Sequence, residues 1–185
     1  MATLTLAQAS TIVDVALKTA REKNFQPLTV AVLDPGGHLV AFKREDKSGI
    51  LRYDIAYGKA FAALSLNRSS RQVLQKFREK PYFMDNLVEL SDGPLFFEGG
   101  GQLIRDPNGE IAGALGVTGD VNEVDDLCGI DGIHAGGFNA DSDFTAAEAK
   151  RLNIKVDPSL DLFAEINRLK KEKNAVILEI GRAHV

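Results

Sequence analysis

The chain has 185 residues, 44% of them hydrophobic and 26% charged, which is enough for one domain with a full core. Its net charge is −4 and its Lys and Arg are scattered among acids, so no basic stripe exists to neutralise a phosphate backbone and nucleic acid is not an expected partner. A single cysteine, Cys128, excludes an intrachain disulfide and a cysteine-based zinc site. No run approaches the roughly 18 apolar residues of a membrane span, and MATLTLAQAS lacks the basic and apolar regions of a secretory signal. The expectation is a cytoplasmic protein with no membrane partner.

Thr5-x-x-Gln8 reads as a capping box, and Leu6, Ala9, Ile12, Val13, Ala16, Leu17 and Ala20 follow at helical spacing, which predicts an amphipathic helix ending near Lys23. The Val-rich run 28–33 and the run 38–44 flank Asp34-Pro35-Gly36-Gly37 and predict a first hairpin. Residues 51–66 are helical in pattern but small on one side, with Ala56, Gly58, Ala60, Ala62 and Ala63, so this helix is expected to lie close over a sheet or another helix. Ser69-x-x-Gln72 predicts a capped short helix through Phe77, with Pro81 beyond its end. Residues 79–93 show no sustained period and are expected to form a loop with some strand.

The runs 102–106 and 110–118 are joined by Asp106-Pro107-Asn108-Gly109, where Pro presets φ and Asn-Gly supplies positive φ, which predicts a second hairpin. Gly99-Gly100-Gly101 stands just before it, three residues without Cβ that let a backbone or a ligand approach closely. Asp120-x-x-Glu123 reads as another capping box, opening a helix closed by Gly136-Gly137, and its acids Asp120, Glu123, Asp125 and Asp126 suit the positive end of a helix dipole. Thr145-x-x-Glu148 opens a short helix, Asp157-Pro158 a longer one, and 175–180 has strand propensity. Two hairpins cannot supply the crossovers of a parallel sheet, so the fold class is α+β, an antiparallel sheet with helices packed on its faces and a helical C-terminal extension. The expected division is a domain at 1–138 and an extension at 139–185 that packs on the core or on a neighbouring subunit.

For the chemistry, His38, His134 and His184 stand far apart in no metal-ligand spacing, so no dedicated metal site is expected. The glycine run enters a strand, which rules out a dinucleotide fingerprint, and no phosphate-binding GxxxxGK[ST] occurs. Cys128, on an apolar helical stripe, is not expected to be a nucleophile. The site expected from the residues is a pocket between Gly99-Gly100-Gly101 and the helix bearing Asp54 and Lys59, with Phe97 as apolar wall and His38 and Arg44 at the rim. Arg44 and Lys59 would attract an anionic ligand, a carboxylate or a haem propionate. If chemistry occurs, Glu98, partly desolvated beside Phe97, is the first choice of proton carrier and His38 the second.

The blocks VLDPGGHLVAFKRED, YDIAYGKAFAA and FFEGGGQLIRDPNGEIAGALGVTGD, followed by acidic residues at the start of a helix, resemble in order and spacing the GlcG/HbpS family, also called the haem-degrading domain family. That family includes the C-terminal domain of PduO-type cobalamin adenosyltransferases. The resemblance spans about residues 4–138 and implies a profilin-like α+β domain that assembles into homo-oligomers, with haem as the cofactor of some members. The family usually reads Arg-Met-Asp-Gly around its second strand, and this chain has Lys43-Arg44-Glu45-Asp46 there, followed by Lys47-Ser48-Gly49. The resulting expectation is a cytoplasmic small-molecule-binding protein whose ligand is haem or another anion. The alternatives are an enzyme using general acid/base chemistry on a small oxo- or hydroxy-acid or a ring compound, and a pure assembly or signalling module.

Overall fold

The computed structural model describes residues 3–155. Helix α1 (Leu6–Glu22) begins at Thr5, whose side chain and that of Gln8 form the expected reciprocal capping box. Strands β1 (Thr29–Leu33) and β2 (Leu39–Arg44) form the first hairpin, and β3 (Gly101–Arg105) and β4 (Ile111–Thr118) the second. All pairings are antiparallel in the order β2-β1-β4-β3, so β1 and β4 are central and the fold is the α+β class expected.

Helices cover both faces of this sheet. On one, α1 and α5 (Asn122–Ala135) lie against each other and enclose Ile12, Val13, Val30, Val32, Leu115, Val117, Cys128 and Ile133. On the other, α2 (Arg52–Leu66) packs Ala60 and Ala63 on Leu33, Leu103 and Ala114. The small residues of α2 explain this closeness: a Cβ at Gly116 of β4 would overlap the Ala56 carbonyl oxygen, so only glycine lets helix and sheet approach so far.

Three local expectations are corrected. Residues 79–93 are mostly helical: Pro81 starts α4 (Pro81–Leu90) at a position where its missing N–H costs nothing. The apolar residues of α4 gave no readable stripe because only Met84 is buried, while Tyr82 and Leu90 are more than 80% exposed. Ser69 does stand at the N-cap of α3 (Ser70–Glu79), but its hydroxyl makes no cap bond: it accepts from the Leu103 amide at 2.9 Å and donates to Asp141 at 2.7 Å. The box expected at Asp120 is also absent, since Val121 is the N-cap and Asp120 accepts from the Gln26 amide at 2.9 Å. In both cases a tertiary partner has taken the capping side chain.

Beyond α5 the chain stays with the core. Asn139 bridges to Arg105 on the outer edge of β3, and the Arg105 guanidinium, 4% exposed, is held by Asp141 and the Gly109 carbonyl. Asp141 lies in the short 3₁₀ turn Asp141–Asp143, and α6 (Ala146–Arg151) follows behind the expected Thr145–Glu148 capping box. Phe144, Ala149 and Ile154 form a small cluster of their own, and Leu152 lies against Gly109 in the β3–β4 turn. The helix expected after Asp157 and the strand expected at 175–180 lie outside the described residues.

Candidate functional site

The expected pocket residues divide into two groups. At the glycine run, the space without side chains is filled by protein. A Cβ on Gly101 would overlap the Lys59 carbonyl oxygen, and one on Gly99 would overlap the Asn122 side chain. Gly100, at φ +96°, has Asp125 Cβ and Lys59 Nζ at 2.9 and 3.0 Å from the position a Cβ would take. The glycines therefore admit α2 and α5 to the strand, and the pocket floor expected there is corrected to a packed junction.

Lys59 is the centre of that junction. Its ammonium, only 4% exposed, donates to Asp125 Oδ2 at 2.9 Å and to the Val117 carbonyl at 3.0 Å. Asp125 Oδ1 also accepts from the Asp120 amide at 3.2 Å. Burial pushes the Asp125 carboxyl up to about 7, while the Lys59 charge and its hydrogen bond pull the other way. Next to it, Asp126 Oδ1 accepts from the Gly100 amide at 2.8 Å and from Gln102 Nε2 at 2.7 Å. Asp125 and Asp126 are thus bound to named donors on α2, β3 and the glycine run, beyond any interaction with a helix dipole.

Around this junction, Asn122 Nδ2 donates to Glu98 Oε2 at 2.9 Å, and Phe97 stacks on Phe77 with ring centroids 5.8 Å apart. Glu98 is half-buried, and its ring neighbour Phe97 belongs to a contact with α3.

The other group lies on the open side of α2. Tyr53, Tyr57 and Phe61 recur at four-residue spacing and, with Phe42 of β2, form a ladder of rings with successive centroids 5.1, 6.1 and 5.8 Å apart. Tyr57 donates from its hydroxyl to the Gly37 carbonyl at 2.8 Å, which ties the first hairpin turn to α2. His38 in that turn is exposed and has its Nδ1 3.3 Å from Asp34 Oδ1. Asp34 accepts backbone N–H bonds from His38 and Gly36, and these hold its carboxyl below the usual value. Arg44, at the end of β2, donates to the Ser48 carbonyl at 3.2 Å, and Asp54 is exposed in the first turn of α2.

The sequence reading did not single out Arg52, Thr29 or Thr118. Arg52 donates from a terminal guanidinium nitrogen to Thr118 Oγ1 at 2.6 Å. Thr29 and Thr118 are directly opposed across β1 and β4, and both are buried. Two opposed threonines read as ordinary strand residues in a sequence, so only the fold reveals them as neighbours of an arginine. Asp125 and Asp126 left a clearer trace, in a lysine on a small-residue helix that must point at a partner.

The comparisons agree with this architecture. The family model described as haem degrading protein HbpS-like matches residues 4–134. An uncharacterized 15.0 kDa protein from the dhaT-dhaS intergenic region of Citrobacter freundii is 28% identical over 127 residues, covering 69% of this chain and 87% of its own. Among solved structures, the ORFY protein of Klebsiella pneumoniae is 27% identical with a TM-score of 0.65, over 74% of this chain and 92% of that one. A double mutant of HbpS from Streptomyces reticuli is 25% identical with a TM-score of 0.63, over 72% and 87%. A haem complex of PduOC shares the fold with a TM-score of 0.65 at 20% identity, over 74% and 97%. With more than half of its length matched by one model, the chain belongs to the HbpS-like haem-degrading protein family.

Proposed function

We propose that the protein binds a small anionic ligand with an apolar body, haem being the first candidate, and that it does so as a homo-oligomer. The observation that carries the reading is the aromatic ladder on α2. Phe42 and Tyr53 at its open end are each 37% exposed, beside Leu39 and, just before α2, Ile50 and Leu51, the last two well exposed. A flat apolar ring system is matched by such a surface, and Arg44 supplies positive charge at its border for an acidic substituent. The family's name and the haem complex of the PduOC structure support haem as the first ligand to try.

Within this reading Arg44, Asp54 and His38 border the ladder, and Phe97, Glu98, Gly99, Gly100 and Gly101 belong to the junction behind it. Lys59 makes no contact with the ligand in this reading, because its charge is already bound to Asp125. Glu98 keeps the role of proton carrier for the alternative reading, an acid/base enzyme, since it is half-buried with one amide partner.

The exposed apolar residues of α4, Tyr82, Phe83, Val88 and Leu90, support self-association, which would cover them and leave the ladder open to the ligand. Sedimentation at micromolar concentration tests this: a species larger than a monomer is expected, and a monomer refutes it. Haemin titration tests the ligand. A saturable Soret shift at one haem or fewer per chain is expected, weakened in Phe42→Asp, and no saturable shift removes haem from the reading.

A further inference from the structure

We infer that the rung Arg44–Thr29–Thr118, together with Arg52 at the start of α2, is an oxyanion site that receives the acidic group of the ligand; this inference rests on the anionic-ligand reading above. Arg44, Thr29 and Thr118 are successive partners across β2, β1 and β4, so their side chains leave the sheet on one face. That face is the one under α2, because Thr118 Oγ1 accepts from Arg52.

Three observations converge on a ligand. Thr29 is fully buried, and its hydroxyl has no hydrogen-bond partner, although buried hydroxyls normally have one. The two guanidinium groups are not neutralised: among the described residues Arg44 bonds only the Ser48 carbonyl and Arg52 only the Thr118 hydroxyl, and neither has a carboxylate partner. Finally, Leu51, the N-cap residue of α2, gives no side-chain cap, so the uncapped positive end of this 15-residue helix lies beside Arg52. Asp54 is the acid in that first turn, and it is exposed.

An oxyanion here would accept from the free guanidinium nitrogens and from the Thr29 hydroxyl, which together satisfy the buried orphan and both cations. Carboxylate is the class favoured, because the adjoining surface is the apolar aromatic ladder, which a carboxylic acid with a hydrophobic body would cover. Such a body can come from a haem propionate or from a smaller organic acid.

Amide NMR shifts of the wild-type protein, titrated with sodium propionate and with inorganic phosphate at constant ionic strength, test the site directly. Saturable shifts centred on Thr29, Tyr53 and Thr118 are expected, with affinity reduced about tenfold in Arg52→Gln and in Thr29→Val, as for a lost charge-assisted or buried contact. A parallel titration with haemin and with its dimethyl ester separates the sources: a preference for the free acid that Arg52→Gln abolishes assigns the site to haem propionates. Propionate shifts without haemin binding keep the oxyanion site and remove haem. If neither anion shifts these amides in the wild-type protein, the inference is overturned, whatever the variants do.

Discussion

Lys59 and Asp125 meet at 2.9 Å with both side chains almost wholly removed from solvent, which joins the middle of α2 to the first turn of α5 beneath the glycine run. A buried ion pair adds little net stability, but removing one partner strands the other. Lys59→Met is therefore expected to cost about 3–5 kcal/mol at pH 8. The cost should shrink toward pH 5. In that variant the Asp125 carboxyl, already raised by burial to about 7, loses the charge that lowered it and rises further. A carboxyl whose folded value exceeds its unfolded one stabilises the fold at low pH, and that contribution is lost as the pH rises through the folded value. Urea unfolding of both proteins from pH 5 to 8 reads the difference; a cost independent of pH refutes it.

Arg105 and Asp141 define what the extension does for the core. Cutting the chain after Phe138 removes Asp141 and Asn139, leaving a buried guanidinium and the Ser69 hydroxyl without those partners. The truncated protein is expected to lose at least about 3 kcal/mol. Asp141→Asn, which keeps the shape and removes the charge, should lose part of the same amount. An unchanged urea midpoint on truncation would show that 139–155 is dispensable to the core.

Gly116 tests the close approach of α2. Its substitution by Ala forces a methyl group into the Ala56 carbonyl, backbone against backbone, and should destabilise by about 3 kcal/mol or more. At Gly49 the nearest neighbour of a new Cβ is the Arg52 side chain at 3.9 Å, so Gly49→Ala should be nearly neutral. Thermal melts of the two variants give the contrast.

Cys128 is expected to be inert in the folded protein. Burial, with Asp125 and Asp131 adding to it, pushes its thiol up to about 12, so almost no thiolate exists at neutral pH. Labelling with a thiol reagent should proceed only with unfolding, at a rate that rises in urea. Fast stoichiometric labelling of the native protein would contradict this placement.

The parts of this fold that depend on neighbours in the chain could be read from the sequence. The α1 capping box, the Asp-Pro-Asn-Gly turn and the short apolar runs of the strands all act within a few residues, and two hairpins already require an antiparallel sheet. The small residues of α2 likewise declared a close approach, since Gly58 costs helix stability that close packing offsets. What touched those residues was decided only by the tertiary structure. Gly99, Gly100 and Gly101 are consistent with either a ligand or a backbone in the space they leave, and it is the position of α2 and α5 that fills it with Lys59, Asn122 and Asp125. Ser69 and Asp120 carry cap signals in the sequence, yet Asp141 and Gln26 hold them because folding brings a better-placed partner from more than 70 residues away. Thr29, Thr118 and Arg52 carry no signal at all: a rung across strands joined out of sequence order exists only once the sheet has formed.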